Sequence, residues 1–466
     1  MAVDTKPNLA ALHDRLVEKT AEAAERLKVP GVAVGIHHTG EDDYAFHGVT
    51  SIENPLEVNA DTLFQIGSTT KTYTATAAMI LVERGKLDLD APVRQYVPEL
   101  RLKDEDVAEK VTVMHLLNHT SGWLGDVFTD TGEGDDYLDK YVGGLADVDQ
   151  LNPLGAVASY NNAAFVLAGL VIQRVAQQRY EDAVKELVLE PLGMKDSFFN
   201  PRDIMTRRFV AGHTERDDKV TLATPWALPR SANPPGGILS IVADQLTYAR
   251  FHLGDGTAAD GSRVLSAATL RRMQEPTAAL QGGALGDHVG ISWLLRDVGG
   301  ARVVAHGGST NGQQSSFDMV PSHQFAVTVL TNADKGAVLH RELTNWILEA
   351  YLGLADAEED PIQLDAASMA AYAGEYDNRN AIVTVSVDGD SLVLKARYTE
   401  EGKAQLLAVR GEDAPDPEPI TVRPLPNDRY VVSEGDAKGM KGHFVRDGEG
   451  PVTALELGGR LAQKIS

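Results

Sequence analysis

The sequence predicts an α+β fold followed by a separate all-β unit. Three observations carry this. Helix-periodic stretches and short strand-like runs are mixed through the first 350 or so positions. Strand-like runs cluster near the end of that part, at 289–295, 301–305, 315–320 and 325–330, with a helical stretch over 336–352. After an acidic linker at 355–361 the texture changes to short strands separated by Gly, Asp and Pro turns, at 382–387, 391–395, 406–409, 430–432 and 442–445. The expected organisation is therefore one domain over 1–354, the linker, and a C-terminal barrel or sandwich over 362–466.

The 466 residues are 43% apolar, enough for a sizeable core. There is no cysteine, so disulfides, thiolate catalysis and thiolate metal sites are excluded. A net charge of −24 spread along the chain disfavours nucleic acid and anionic membrane surfaces as partners. No apolar run approaches the roughly 20 residues of a membrane-spanning helix. The first 28 residues lack the basic-then-apolar shape of an export signal, so the chain as given reads as cytoplasmic.

In order, 8–28 reads as an amphipathic helix stopped by Pro30-Gly31. A hairpin (32–36 and 43–48) follows, then a loop over 49–63. The stretch Phe64-Gln65-Ile66-Gly67-Ser68-Thr69-Thr70-Lys71 leads into a helix carrying Ala75, Met79, Ile80 and Val82. Ser68 stands near a helix start, where free N–H groups and the dipole favour negative charge. Lys71 is one turn on and shares its face. A serine hydroxyl needs an adjacent base. A lysine serves if burial and nearby positive charge lower its pKa.

A short helix over 112–122 stops at Gly122, and its His119 reads as structural. Trp123 is a candidate pocket residue, with plain packing as the competing reading. Positions 125–152 are acidic and Gly-rich, an excursion that can form a lid or a wall of a site. Tyr160 and Asn162 precede an apolar helix, where side chains can project into a cleft. Pro234-Pro235-Gly236-Gly237 reads as a rigid loop, Ser240 as a helix cap, and 306–312 as a Gly-rich hinge between strands.

Three sets stand in order: Ser68-x-x-Lys71, Tyr160-x-Asn162 and His306-x-Gly308. Each short pattern is cheap. Ser-x-x-Lys occurs once, but Tyr-x-Asn recurs at Tyr376, and His-x-Gly recurs at His38, His252 and His288. No Gly-x-Ser-x-Gly elbow and no His-Glu-x-x-His occurs, which disfavours an α/β-hydrolase and that metalloprotease type.

With these sets in place the chain resembles the serine β-lactamase and penicillin-binding protein fold, and within it the class C β-lactamase-like hydrolases (peptidase family S12). Further landmarks are Leu116-Leu117-Asn118-His119-Thr120-Ser121-Gly122, Pro191-Leu192-Gly193-Met194, and Gly236-Gly237-Ile238-Leu239-Ser240 before Asp244. The resemblance spans about 8–352 and selects His306 among the His-x-Gly copies. It implies an antiparallel sheet flanked by helices beside a helical region, with the site in the cleft between. It also implies a cofactor-free, metal-free acyl-enzyme mechanism: Ser68 as nucleophile, Lys71 and Tyr160 sharing the proton work, Asn162 holding Lys71 and a substrate carbonyl, and the N–H groups of Ser68 and Ser309 as oxyanion hole. Gly307, Gly308 and Trp123 would contact substrate. The C-terminal unit is similar to the lipocalin-like barrels of some relatives, which can restrict the cleft or mediate assembly into homo-oligomers.

The departure is His306, which stands where β-lactamases carry the lysine of Lys-Thr-Gly. It forfeits a permanent positive charge. That points away from β-lactams and stem peptides and toward a carboxylic ester, a small amide or a D-amino-acid peptide. A weak β-lactamase, a D-aminopeptidase, or a ligand-sensing member of the same fold are the competing readings.

Overall fold

The computed structural model describes residues 9–357, 359–410 and 415–466. The expected helix start at residue 8 lies outside them.

The chain opens with the helix Leu9–Arg26, whose Leu12, Leu16, Ala23 and Ala24 recur at helical spacing and are buried. The strand Gly31–His38 and its hairpin partner Glu41–Gly48 follow. They end up at one side of an eight-stranded antiparallel sheet that runs 41–48, 31–38, 325–331, 313–320, 301–310, 294–298, 286–289, 278–283. The N-terminal hairpin thus pairs with a strand some 290 positions later in sequence, with Val34 opposite Val329. One face of the sheet is covered by Leu9–Arg26 and Gly336–Leu352, which share an apolar cluster with Val32, Val34, Val327 and Val329. On the other face lies the helical region, led by Thr70–Glu83, Asn162–Ala176 and Val242–Leu253.

Thr70–Glu83 is buried almost all round, including the polar Thr72, Thr74 and Thr76. Burial is tolerable because each hydroxyl is bonded, Thr74 to Tyr180 at 2.8 Å and to the Pro234 carbonyl at 2.7 Å, Thr76 to Tyr248 at 2.8 Å.

After Gly353, whose φ of 69° closes the last helix of this part, the chain passes into eight antiparallel strands. They pair in sequential order and close as Gly374–Asp377 meets Arg460–Lys464. The result is a closed up-and-down barrel around Tyr376, Tyr430 and Phe444, which resolves the choice between barrel and sandwich.

Several local expectations change. Positions 406–409 belong to a helix, Glu400–Arg410, inserted between two barrel strands. The supposed hinge at 306–312 is mostly strand, because Ala301–Thr310 continues through the glycines in register with Gln313–Val320. Pro234 and Pro235 sit in a short helix, Asn233–Gly236, where proline is compatible with a first turn. Ser240 caps nothing: its hydroxyl meets Ser197 at 2.9 Å and receives the Gln245 amide at 2.8 Å, and Ile241 precedes the helix. The strand expected over 289–295 is two, Gly286–Val289 and Leu294–Val298, broken by Ser292 at φ 69°.

Candidate active site

Gly67–Thr69 forms one tight helical turn that feeds directly into Thr70–Glu83. Lys71 on the first turn of that helix is fully buried, and its Nζ lies 3.0 Å from Ser68 Oγ. The same ammonium or amine nitrogen donates to the Pro235 carbonyl at 2.9 Å. Burial holds the Lys71 pKa well below that of a free lysine, and the Arg460 charge lowers it further, while Asp126 opposes. The lysine beside the serine is thus biased toward the neutral amine, the form that can accept a proton.

Tyr160 lies on the far side of Ser68, just before the helix Asn162–Ala176, where the Asn161 side chain caps by accepting from Ala164 N at 2.8 Å. Its ring faces Lys71 Nζ at 4.9 Å and its hydroxyl adjoins Ser68. Burial raises the Tyr160 pKa, against the effects of Ser68 and Arg460, so the phenol keeps its proton at neutral pH. His119 sits behind it, ring centroids 4.4 Å apart, with Nδ1 accepting from Asn161 N at 3.1 Å. The expectation of a structural histidine fits: His119 is buried, turned by a φ of 62°, and fixes the segment carrying Tyr160.

The strand Ala301–Thr310 passes Ser68 on its other side. A side chain at Gly308 would collide with the Ile66 carbonyl and lie 2.8 Å from Ser68 N. A Cβ on Gly67, itself at φ 49°, would lie 2.7 Å from Ser309 N. These two glycines let the turn and the strand approach until the Ser68 and Ser309 N–H groups share one corner. Gly307 carries no such constraint, since the nearest atom to an added Cβ is the Ser315 carbonyl at 3.4 Å.

His306, one strand position before Gly307, is buried, and its ring is 6.1 Å from that of Tyr160. Its Nδ1–H donates to the Gly307 carbonyl at 2.7 Å, which leaves Nε2 as an acceptor without a partner among the described residues. Burial, then the nearby Lys71, push its pKa down to about 3, so it brings no positive charge.

Two expected roles need correction. Asn162 does not hold Lys71: its side-chain N–H donates to Asp126 at 2.6 Å, and the Pro235 carbonyl takes the place beside the lysine. Trp123 does not line the cleft. It is buried in the main core, because the Trp123–Gln150 bridge and the Asn161 bond to its carbonyl turn it inward.

Sequence reasoning missed the cation. Arg460, first residue of the last barrel strand, stacks on Tyr160 with its guanidinium carbon 4.6 Å from the ring centroid. Its Nε and Nη2 donate to Asp126 at 3.0 and 3.3 Å, and Nη1 to the Gly458 carbonyl at 2.9 Å. Burial opposes ionisation of Asp126, but the charge and hydrogen bonds of Arg460 and the bond from Asn162 outweigh it and hold the carboxyl below its usual range. The only sequence signals were the Gly458-Gly459 pair before Arg460, a tight-turn mark, and the reading of 125–152 as a possible wall.

Ser68, Asp126, Asn162, Ser309 and Arg460 open onto a cavity of about 540 Å³. Its far side is apolar and shared by both parts of the molecule: Val127, Phe128 and Val166 from the first, Val383, Leu406 and Leu457 from the second. Among the described residues no His/Asp/Glu cluster could hold a metal ion.

A fold of this layout with a serine–lysine pair between its sheet and its helical region defines a class, and the comparisons give the same class. Residues 14–352 match the β-lactamase family, and the chain belongs to that family of serine hydrolases. It is 34% identical to penicillin-binding protein 4 of Amycolatopsis lactamdurans, over 75% of this chain and 93% of that one. It is 38% identical to esterase EstB of Burkholderia gladioli, over 41% and 52% of the two. The fold is similar over its whole length to that of SurE, solved with D-Leu: TM-score 0.76, 24% identity, 98% of this chain and 100% of that one.

Proposed function

We propose that the chain hydrolyses a carboxylic ester or amide through an acyl-enzyme on Ser68. The observation that carries this is the 3.0 Å approach of Ser68 Oγ to a buried lysine held toward its neutral form. In the proposed step, the Ser68 proton passes to the Lys71 amine as Oγ bonds the substrate carbonyl carbon. The developing oxyanion lies against the N–H groups of Ser68 and Ser309. The bond to the leaving group then breaks, and the leaving group takes a proton from the Tyr160 hydroxyl, which Lys71 replenishes. Water releases the acyl group by the reverse sequence. In this reading Lys71 and Tyr160 share the proton work.

Arg460 changes the substrate argument. His306 supplies no charge, yet the cavity has a cation on its barrel side. Its bonds to Asp126 and Gly458 engage one N–H on each nitrogen, and each terminal nitrogen carries a second. We therefore place a substrate carboxylate at Arg460, with an apolar side chain toward Val383, Leu406 and Leu457. A short peptide or amino-acid derivative with a free carboxyl group fits this. SurE, of similar fold, was solved with D-Leu, and on that ground we propose D configuration at the carboxylate-bearing residue.

The test compares p-nitrophenyl butyrate with D-alanyl and L-alanyl p-nitroanilides, and acyl peptides ending in D-Leu with the same peptides as C-terminal amides. Turnover lost in Ser68→Ala, with an acyl adduct on intact wild type by mass spectrometry, supports the mechanism. Activity surviving in Ser68→Ala refutes it. A preference for the free carboxylate that vanishes in Arg460→Gln supports the Arg460 site, and equal turnover of acid and amide refutes it.

A further inference from the structure

The turn that delivers Arg460 is itself held from below by a buried carboxylate. Glu456, on the barrel strand Val452–Leu457, is 4% exposed. Its Oε1 accepts from Gly459 N, closing the tight turn 456–459. The Gly459 carbonyl in turn accepts from Tyr160 N at 2.8 Å. The next residue is Arg460. One side chain thus fixes a two-residue segment that holds the Tyr160 backbone with one residue and stacks a cation on the Tyr160 ring with the other.

Glu456 is closely packed on several sides. The Tyr430 hydroxyl donates to its carbonyl at 2.7 Å; His443 faces it across the strand pair, Nδ1 3.5 Å from Oε2, and neither of these two atoms has a hydrogen-bond partner among the described residues. Gly283, on a strand of the other part's sheet, comes so close that an added Cβ would collide with Oε2. Gly459, at φ 86°, packs so tightly on Leu285 that a side chain there would collide too. The carboxylate is therefore squeezed between the barrel and the sheet edge.

We infer that Glu456 is a positioning residue for the hydrolytic site, setting the Gly459–Arg460 turn and through it Tyr160 and the cation beside Lys71. The inference rests on the Ser68–Lys71 reading of the site. Glu456 touches neither substrate nor nucleophile.

Because the Arg460 charge lowers the Lys71 pKa, displacing the turn weakens that effect and leaves Asp126 less compensated. Both raise the lysine pKa, so the acidic limb of the kcat/KM profile moves to higher pH.

The experiment is a pH profile of ester hydrolysis for wild type, Glu456→Ala, Glu456→Gln, Gly283→Ala and Arg460→Gln, with the double variant of Glu456→Ala and Arg460→Gln. Glu456→Ala is expected to lower kcat/KM on the order of tenfold, about 1.4 kcal/mol, and to shift the acidic limb upward. Glu456→Gln keeps an acceptor for Gly459 N and should recover most of the loss. Gly283→Ala, which pushes on Oε2 from outside the barrel, should give the same shift in smaller measure and serves if Glu456→Ala does not fold. Within the Arg460→Gln background, Glu456→Ala should shift the limb no further. An unshifted limb in both Glu456→Ala and Gly283→Ala overturns the inference, as does full additivity with Arg460→Gln. Ser68→Ala in the same series reports on the underlying mechanism separately: its failure to abolish turnover sinks that reading whatever Glu456 does.

Discussion

The two ends of the cavity are made differently. At the Ser68 end the partners are local or rigidly held: a serine and a lysine one helical turn apart, a carbonyl from a short Pro-rich helix, and a strand pressed in by two glycines. At the Arg460 end a barrel hairpin meets the loop at Asp126, 334 residues away in sequence. The first end has the order and burial needed to make bonds. The second carries charge and an apolar wall, the means to choose what enters. Under the proposed function, the chemistry resides in the first part of the chain and selectivity in the barrel.

Lys71→Met should give the largest break at the Ser68 end. The side chain stays buried but no base remains, and kcat should fall by on the order of 10³-fold or more, with substrate affinity nearly kept. Stopped-flow acylation by a nitrophenyl ester would measure it, and a loss below about tenfold would exclude Lys71 as proton acceptor.

Next comes Gly308→Ala against Gly307→Ala. The first forces the strand off the Ile66 carbonyl and Ser68 N, whereas the second meets nothing closer than 3.4 Å. Gly308→Ala should cost about 100-fold in kcat by misplacing the N–H corner, with Gly307→Ala close to wild type. Equal effects would mean that close approach at Gly308 does not matter.

At the barrel end, Asp126→Asn should be milder. It removes the charge pairing Arg460 while keeping a similar shape. KM for a substrate with a free carboxylate should fall several-fold, since Arg460 loses a competitor, and the Lys71 pKa should drop because Asp126 raises it. Steady-state kinetics over pH would read both, and a higher KM would contradict the placement of the carboxylate at Arg460.

The smallest effect at neutral pH is on stability. His252, His306 and His340 are each held at a pKa of about 3 by burial. Unfolded, each takes up a proton near pH 6.5, while the folded form does not. Stability is therefore unaffected above about pH 6.5 and lost as pH falls toward 3, by about 1.4 kcal/mol per unit for each histidine. Urea unfolding at stepped pH should show a shallower slope for His252→Phe than for wild type. Identical slopes would mean that His252 titrates normally in the folded protein.

Legibility followed the range of the interaction. Ser68 and Lys71 could be read because a three-residue spacing on a helix puts two side chains on one face whatever else the fold does. Tyr160 and His306 could be placed only by resemblance, since nothing in their spacing brings them to Ser68. The resemblance implies that Asn162 holds Lys71, and the structure gives it to Asp126, a partner invisible in sequence. The apolar run at 406–409 predicts a strand but lies in the helix Glu400–Arg410, because four residues are too few to separate the two periods. Trp123 went to the core rather than the cleft because apolar bulk alone does not say which side of a wall it faces.

By itself the sequence determined the α+β layout, the all-β C-terminal unit, and a serine with its lysine at a helix start. Each depends on periodicity or on contacts within one turn, and these survive any arrangement of the rest. Only the tertiary structure decided the charge of the site. It buried Lys71 and His306, which sets both toward neutrality, and it brought Arg460 and Asp126 together across most of the chain. Burial and long-range ion pairs depend on which surfaces meet, and local spacing does not encode that.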